Sequence, residues 1–179
     1  NGWGGKFTAD RDNAINHRLF DTGWLRGHYV SALDFELEGG AIESDGAGTL
    51  LTTAACLLNA NRRNADDMVP TPDREQVEML LRERLGAERV LWLNHGYLAG
   101  DDTDSHIDTL ARLCPNQTIV YVKCDDPADE HYAELQAMEA ELQAFRTADD
   151  RPYRLIPVPM PDAIHDEDGE RLPATYANF

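Results

Sequence analysis

Cysteine is scarce in this 179-residue chain, which holds only Cys56, Cys114 and Cys124. An odd count at wide spacing excludes a disulfide framework, and without a C-x-x-C pair there is no zinc ribbon or dithiol motif. Free thiols fit a reducing, cytoplasmic setting. Basic residues are few as well: 16 Lys and Arg stand against 33 Asp and Glu, a formal net charge of -17. Such a surface repels phosphates and anionic lipid, so nucleic acid and membranes are poor partners, whereas a small cation is attracted. Solvated surface charge or salt adaptation would produce the same balance. No apolar run reaches membrane-spanning length, no signal-peptide pattern is found, and no low-complexity tract interrupts the chain. What is present is 42% hydrophobic residues with three Trp, six Tyr and five Phe, enough for the core of one domain. The chain opens on Asn1-Gly2-Trp3 and closes on Ala177-Asn178-Phe179, which reads as the start of a strand. Both ends point to a piece of a longer protein.

The apolar spacing predicts a helix from Ala9 to Phe20, capped by Thr8, with Ala14, Ile15 and Leu19 on its buried face. Strand patterns follow from Tyr29 through Leu37. A hairpin is expected where Ala41–Glu43 turns through Ser44-Asp45-Gly46-Ala47-Gly48 into Thr49–Thr53. A second helix carries Val77, Leu80, Leu81 and Leu85, with Thr71 as cap, Pro72 at its first position and Gly86 as its stop. Val90–Leu93 reads as a buried strand. The cycle then recurs: a strand at 118–122, a helix opening at Asp126 and Pro127 with Leu135, Met138, Leu142 and Phe145, and a strand at 153–157. An offset of roughly 65 residues fits either one open α/β sheet or a radial array of ββαβ modules.

Two segments carry candidate chemistry. Leu37-Glu38-Gly39-Gly40 closes an apolar strand, and its glycines allow close approach of a ligand or a neighbouring chain to a rigidly held carboxylate. A plain turn with an exposed Glu is the alternative. Gly100-Asp101-Asp102-Thr103-Asp104-Ser105-His106-Ile107-Asp108 sets three acids before a His-x-Asp pair. If 106–108 is extended, His106 and Asp108 share a face and Ile107 enters the core. Neighbouring carboxylates would then raise the proton affinity of His106 and make it an acid near neutrality. A divalent-metal site and a purely structural loop are the rival readings, although the segment lacks the glycine and glutamate of an EF-hand.

Three blocks in order resemble the agmatine deiminase and bacterial-type peptidylarginine deiminase family. They are Gly2-Trp3-Gly4-Gly5-Lys6-Phe7; then Leu37-Glu38-Gly39-Gly40 with Gly48–Thr53 and Cys56-Leu57-Leu58-Asn59-Ala60-Asn61-Arg62; then Gly100–Asp108. The resemblance runs over essentially the whole chain. It implies an α/β pentein, a propeller of five ββαβ modules, of which residues 1–179 form a partial domain of about half. Such an incomplete propeller would favour association as a homo-oligomer. It also implies hydrolysis of a terminal guanidinium without metal or organic cofactor. Agmatine would give N-carbamoylputrescine and ammonia, with peptidyl-arginine to peptidyl-citrulline as the alternative.

By motif match His106 would be the general acid/base, Asp108 would grip the small cationic guanidinium substrate, and Glu38 would orient and charge His106. Trp3 and Lys6 would contact substrate. The family's nucleophilic cysteine and its second guanidinium-binding Asp have no counterpart here, and Ser105 stands where the family usually has Gly. Cys56, Cys114 and Cys124 lack a Gly-rich, His-flanked context and read as small packing residues. A non-catalytic guanidinium-binding fragment is therefore the alternative for the chain by itself.

Overall fold

The computed structural model describes residues 3, 5–24, 26–27, 35–62 and 73–179. It holds two separate three-stranded sheets rather than one open sheet. In the first, β1 (Ile42–Ser44) pairs antiparallel with β2 (Thr49–Thr53), and β2 pairs parallel with β3 (Arg89–Leu93). In the second, β4 (Ala111–Cys114) pairs antiparallel with β5 (Thr118–Lys123), and β5 pairs parallel with β6 (Arg154–Pro159). The parallel step needs a crossover in each case, supplied by helices at Arg74–Leu85 and Tyr132–Ala144. Each sheet with its helix is thus a ββαβ module. Thr49 and Thr118 open equivalent strands 69 positions apart, and Arg89 and Arg154 do so 65 apart, which accounts for the recurrence in the sequence.

The N-terminal helix differs from expectation. It is broken into α1 (Asp10–Asn13) and α2 (Ile15–Asp21), and its N-cap is Ala9, which makes no side-chain cap. Ile15 and Leu19 remain 47% and 38% exposed, so the rest of the chain does not bury their stripe. Residues 28–34 lie outside the described residues, and 35–38 run in no strand, so the Leu37–Gly40 block ends an irregular segment. The Asp45 hairpin forms as expected, with the Asp45 side chain accepting from the Ala47 and Thr49 amides at 2.8 and 2.9 Å. A short helix, α3 (Ala54–Leu57), follows β2 with Thr53 as its N-cap.

Thr71 and Pro72 are not among the described residues. The helix α4 (Arg74–Leu85) is capped by Asp73, which forms a capping box with Gln76, and it stops at Gly86 in the left-handed conformation. Asp73→Ala is expected to cost about 1 kcal/mol of unfolding free energy, readable as a lower urea midpoint at unchanged slope. The helix α5 (Tyr132–Ala144) starts later than expected. Asp126 instead builds a turn, accepting from Ala128 at 2.9 Å, and Asp129 accepts from the His131 amide before the helix begins. At the C-terminal end no strand forms over 174–179.

Strand alternation distributes side chains between two cores. Leu50 and Trp92 join Ala41, Cys56, Leu57, Val77 and Leu81 beneath α4. Leu51, Leu91 and Leu93 point the other way and meet Leu110, Ile119, Tyr121 and Val122 of the second module. Leu135, Met138 and Leu142 of α5 enter that same cluster, so this helix fills the space between the sheets. Trp92 is 6% exposed, donates to Glu78 at 2.8 Å and lies under the Arg74 guanidinium. A carboxylate also joins the modules: Glu43 of β1 accepts from Arg112 Nε at 2.6 Å and from the Leu113 amide at 3.0 Å, both on β4.

Candidate active site

The loop from Gly100 to Thr109 lies where the two modules meet, and its own acids shape it. Asp101 accepts from the Thr103 amide and hydroxyl at 3.1 and 2.6 Å, and from the Ser105 amide at 2.7 Å. This winds Asp104 and Ser105 into left-handed backbone, at φ 63° and 59°. The second value explains a glycine preference at position 105, because serine occupies that region only at some cost. Thr53 Oγ1 ties the loop to the end of β2 by donating to the Ser105 carbonyl at 2.8 Å. The 106–108 stretch is not extended as expected: His106 caps a 3₁₀ turn over Ile107–Thr109. Nevertheless His106 and Asp108 converge. A Cβ placed on Gly40 would lie 2.6 Å from Asp108 Oδ2 and 2.7 Å from His106 Nδ1. Ile107 is fully buried, as expected.

Glu38 comes to the same place from the other side. Its Oε2 is 3.9 Å from His106 Nε2, an ion-pair distance rather than a hydrogen bond. It lies closer to Arg62 Nε, at 3.1 Å, yet neither Glu38 oxygen has a donor in hydrogen-bond geometry. Sequence reasoning gave Arg62 no role. It is fully buried, and its guanidinium donates from Nη2 to the Thr103 carbonyl at 2.9 Å and to Cys56 Sγ at 3.2 Å. Nη1 faces Asp104 Oδ2 at 3.3 Å. The one available signal was its place at the end of the Cys56–Arg62 block.

Burial and Arg62 together overturn the expected rise in the proton affinity of His106. Desolvation at a 5% exposed position pushes its pKa down from the ordinary value, and Arg62 pushes it further. Glu38, Asp108 and Asp101 act in the opposite direction without prevailing. The ring is therefore held neutral in the resting site. Cys56 is buried against the same group. Desolvation raises its thiol to about 11 despite Arg62, so it rests protonated. Glu38, Cys56 and His106 each bring a potential ligand atom within 4.8 Å of the others. Of these, only His106 comes from the acidic stretch considered for metal from the sequence. The Arg62 guanidinium already stands 3.2 Å from Cys56 Sγ and 3.5 Å from His106 Nε2, where its charge opposes a second cation.

Lys6 reaches the same loop. Its ammonium donates to the Asp102 carbonyl and to Asp104, so Asp104 bridges Lys6 and Arg62. Trp3 is 39% exposed and packs edge-on against Phe7, with ring centroids 5.2 Å apart.

A second cluster fixes the entry to the loop. Buried His131 donates from Nδ1 to Asp129 at 2.7 Å and accepts from the Ala99 amide at Nε2, an arrangement that requires the neutral ring. Arg171 forks onto both Asp129 oxygens at 2.8 and 3.2 Å. A Cβ at Gly100 would run into the Arg171 carbonyl oxygen. The segment around Arg171 is thus anchored against the loop that carries His106. Hydrogen bonding to Arg171 holds the Asp129 carboxyl well below the usual carboxylate range. A depressed carboxyl stabilises the fold above its unfolded pKa, and that contribution is lost as pH falls below about 4. Asp129→Asn is therefore expected to lower the urea midpoint at pH 7, and its deficit relative to the unaltered chain should close on acidification.

Two ββαβ modules thus bring a histidine and two carboxylates together where they meet. The Porphyromonas-type peptidyl-arginine deiminase family model matches residues 1–179. The agmatine deiminase of Stutzerimonas stutzeri strain A1501 is 37% identical to the chain over 201 residues, covering 100% of the chain and 52% of that protein. The agmatine deiminase of Ectopseudomonas mendocina strain ymp is 34% identical with the same shares. A cysteine-to-serine variant of C. jejuni agmatine deiminase, solved with substrate bound, superposes with a TM-score of 0.85 at 41% identity, covering 100% of this chain and 49% of that one. The chain belongs to the Porphyromonas-type peptidyl-arginine deiminase family and spans about half the length of the curated relatives it matches. Among the described residues, no helix is long and apolar enough to cross a membrane.

Proposed function

We propose that this chain supplies the histidine and carboxylate side of an agmatine deiminase site, and that the whole protein hydrolyses agmatine to N-carbamoylputrescine and ammonia. The observation that carries this reading is the convergence of His106 and Asp108 over Gly40, with Glu38 behind the ring. In this reaction a cysteine thiolate adds to the guanidinium carbon, ammonia leaves with a proton delivered by the histidine, and water then displaces the thiol to release the ureido product. His106, held neutral, is suited to accept a proton first, from the thiol or from water, and to return it to the departing nitrogen. Asp108 would pair with the cationic substrate, which the net charge of the chain also attracts.

The thiolate comes from outside this chain in our reading. Cys56 is buried, its thiol is raised to about 11, and Arg62 covers its sulfur. This supports an inactive state for the chain alone, with agmatine as the preferred substrate of the whole protein and peptidyl-arginine as the second. Trp3 and Lys6 remain candidate substrate contacts. A reducing, cytoplasmic setting accords with three free cysteines, two of them buried. Release of ammonia and ureido product from agmatine, assayed side by side on this chain and on the full-length protein, tests the proposal. Turnover by the full-length protein alone is expected. Turnover of a peptidyl-arginine substrate alone would reassign the substrate, and turnover by this chain would mean that one of its own cysteines is competent.

A further inference from the structure

Arg62 is a fully buried guanidinium, and the reaction steps proposed above do not use it. Burying such a group is costly unless its donors are met, and an arginine does not shed its charge to escape the cost. Here the partners are specific. Asp104 and the Thr103 carbonyl hold the Nη atoms to the loop that carries His106. The Arg62 carbonyl accepts from the Glu36 amide at 2.9 Å, which fixes the segment leading into Glu38. The guanidinium itself stands between the Glu38 carboxylate, at 3.1 Å from Nε, and His106 Nε2, at 3.5 Å from Nη2. One residue therefore grips both chain segments that bring the site together, through its backbone on one side and its side chain on the other.

We propose that Arg62 is a positioning residue of this site, seating Glu38 and His106 relative to one another and balancing the carboxylates that surround the imidazole. The proposal rests on the deiminase reading for its effect on turnover, but not for its effect on His106. The charged and titratable groups that face the ring are Glu38 from the irregular segment before β1, Cys56 from α3, Arg62, and Asp101, Asp104 and Asp108 from the ring's own loop. Of these, Arg62 is the one cation, and it opposes ring protonation. Without it the carboxylates are opposed by burial alone. Lysine keeps the charge but lacks the planar fork that faces Thr103, Cys56, Asp104, Glu38 and His106 at once.

The test is an NMR titration of the imidazoles in this 179-residue chain, with His106 assigned by its disappearance in His106→Asn. In Arg62→Gln the His106 midpoint is expected to rise, while the other histidines titrate as before. Arg62→Lys should leave the midpoint close to that of the unaltered chain. In the full-length protein both variants should lose about 10²-fold in kcat/KM for agmatine, the scale on which a misplaced catalytic group costs. The acidic limb of the profile should move to higher pH only for Gln. An unmoved His106 midpoint in folded Arg62→Gln overturns the proposal. If that variant does not fold, Arg62→Lys decides. Full turnover with lysine would make Arg62 a structural cation only, and collapse of both variants would make it a folding residue. An unreactive full-length protein whose His106 midpoint still rises in Arg62→Gln would remove the deiminase reading and leave this inference standing.

Discussion

Alanine at position 106 of the full-length protein is expected to lower agmatine turnover by about 10²–10⁴-fold, the usual worth of a positioned acid/base group. The reason is geometric before it is electrostatic. His106 is 5% exposed and reaches Glu38 on its Nε2 side and the Gly40–Asp108 gap on its Nδ1 side. His131, the other buried imidazole among the described residues, is committed at both nitrogens to Asp129 and Ala99. Steady-state kinetics on a variant whose circular dichroism matches the parent protein makes the comparison. Near-normal turnover would remove His106 from the proton pathway.

Gly40→Ala should cost about 10²-fold in kcat/KM, although it adds only one methyl group. The backbone of Gly40 is not in the left-handed region, so alanine can adopt it without conformational strain. The collision is with side chains. The new Cβ would stand 2.6 Å from Asp108 Oδ2 and 2.7 Å from His106 Nδ1, closer than unbonded atoms tolerate, and both groups must swing away. Misplacement by an ångström is enough for a loss of this size. Gly39 provides the control, since a Cβ there meets nothing within 4 Å. Gly39→Ala is expected to keep most of the turnover. Equal kinetics for the two variants would show that the close approach at Gly40 is not needed for catalysis.

The parts of this arrangement that sequence made legible are those governed by local rules. Asp45 and the glycines after it mark the hairpin, and Gly86 ends α4 with its left-handed backbone. Leu135, Met138 and Leu142 fall on one buried face through helical spacing. Other features depend on long-range packing. A stripe at Ile15 and Leu19 predicts burial only if something covers it, and spacing says nothing of that. The start of α5 moved because Asp126 and Asp129 satisfy the backbone locally before the helix can begin. In the site, the motifs named His106, Asp108 and Glu38, but counting nearby acids gave the wrong sign for the proton affinity of His106. Its burial comes from long-range packing, and the cation beside it is a residue 44 positions away, Arg62, whose part no local pattern discloses.

The three tryptophans are unevenly placed. Trp24 is 81% exposed and Trp3 39%, while Trp92 alone is packed inside, in the core beneath α4. The second module has no tryptophan, and its buried aromatics are Tyr121 and Tyr153. Intrinsic fluorescence is therefore a reporter with an address. Upon unfolding, the red shift of the tryptophan emission follows the loss of the first module, whereas far-ultraviolet circular dichroism follows both. If the two modules separate before they melt, the two signals part company. Coincident curves would show that α5 and the Glu43–Arg112 pair bind the modules into a single cooperative unit.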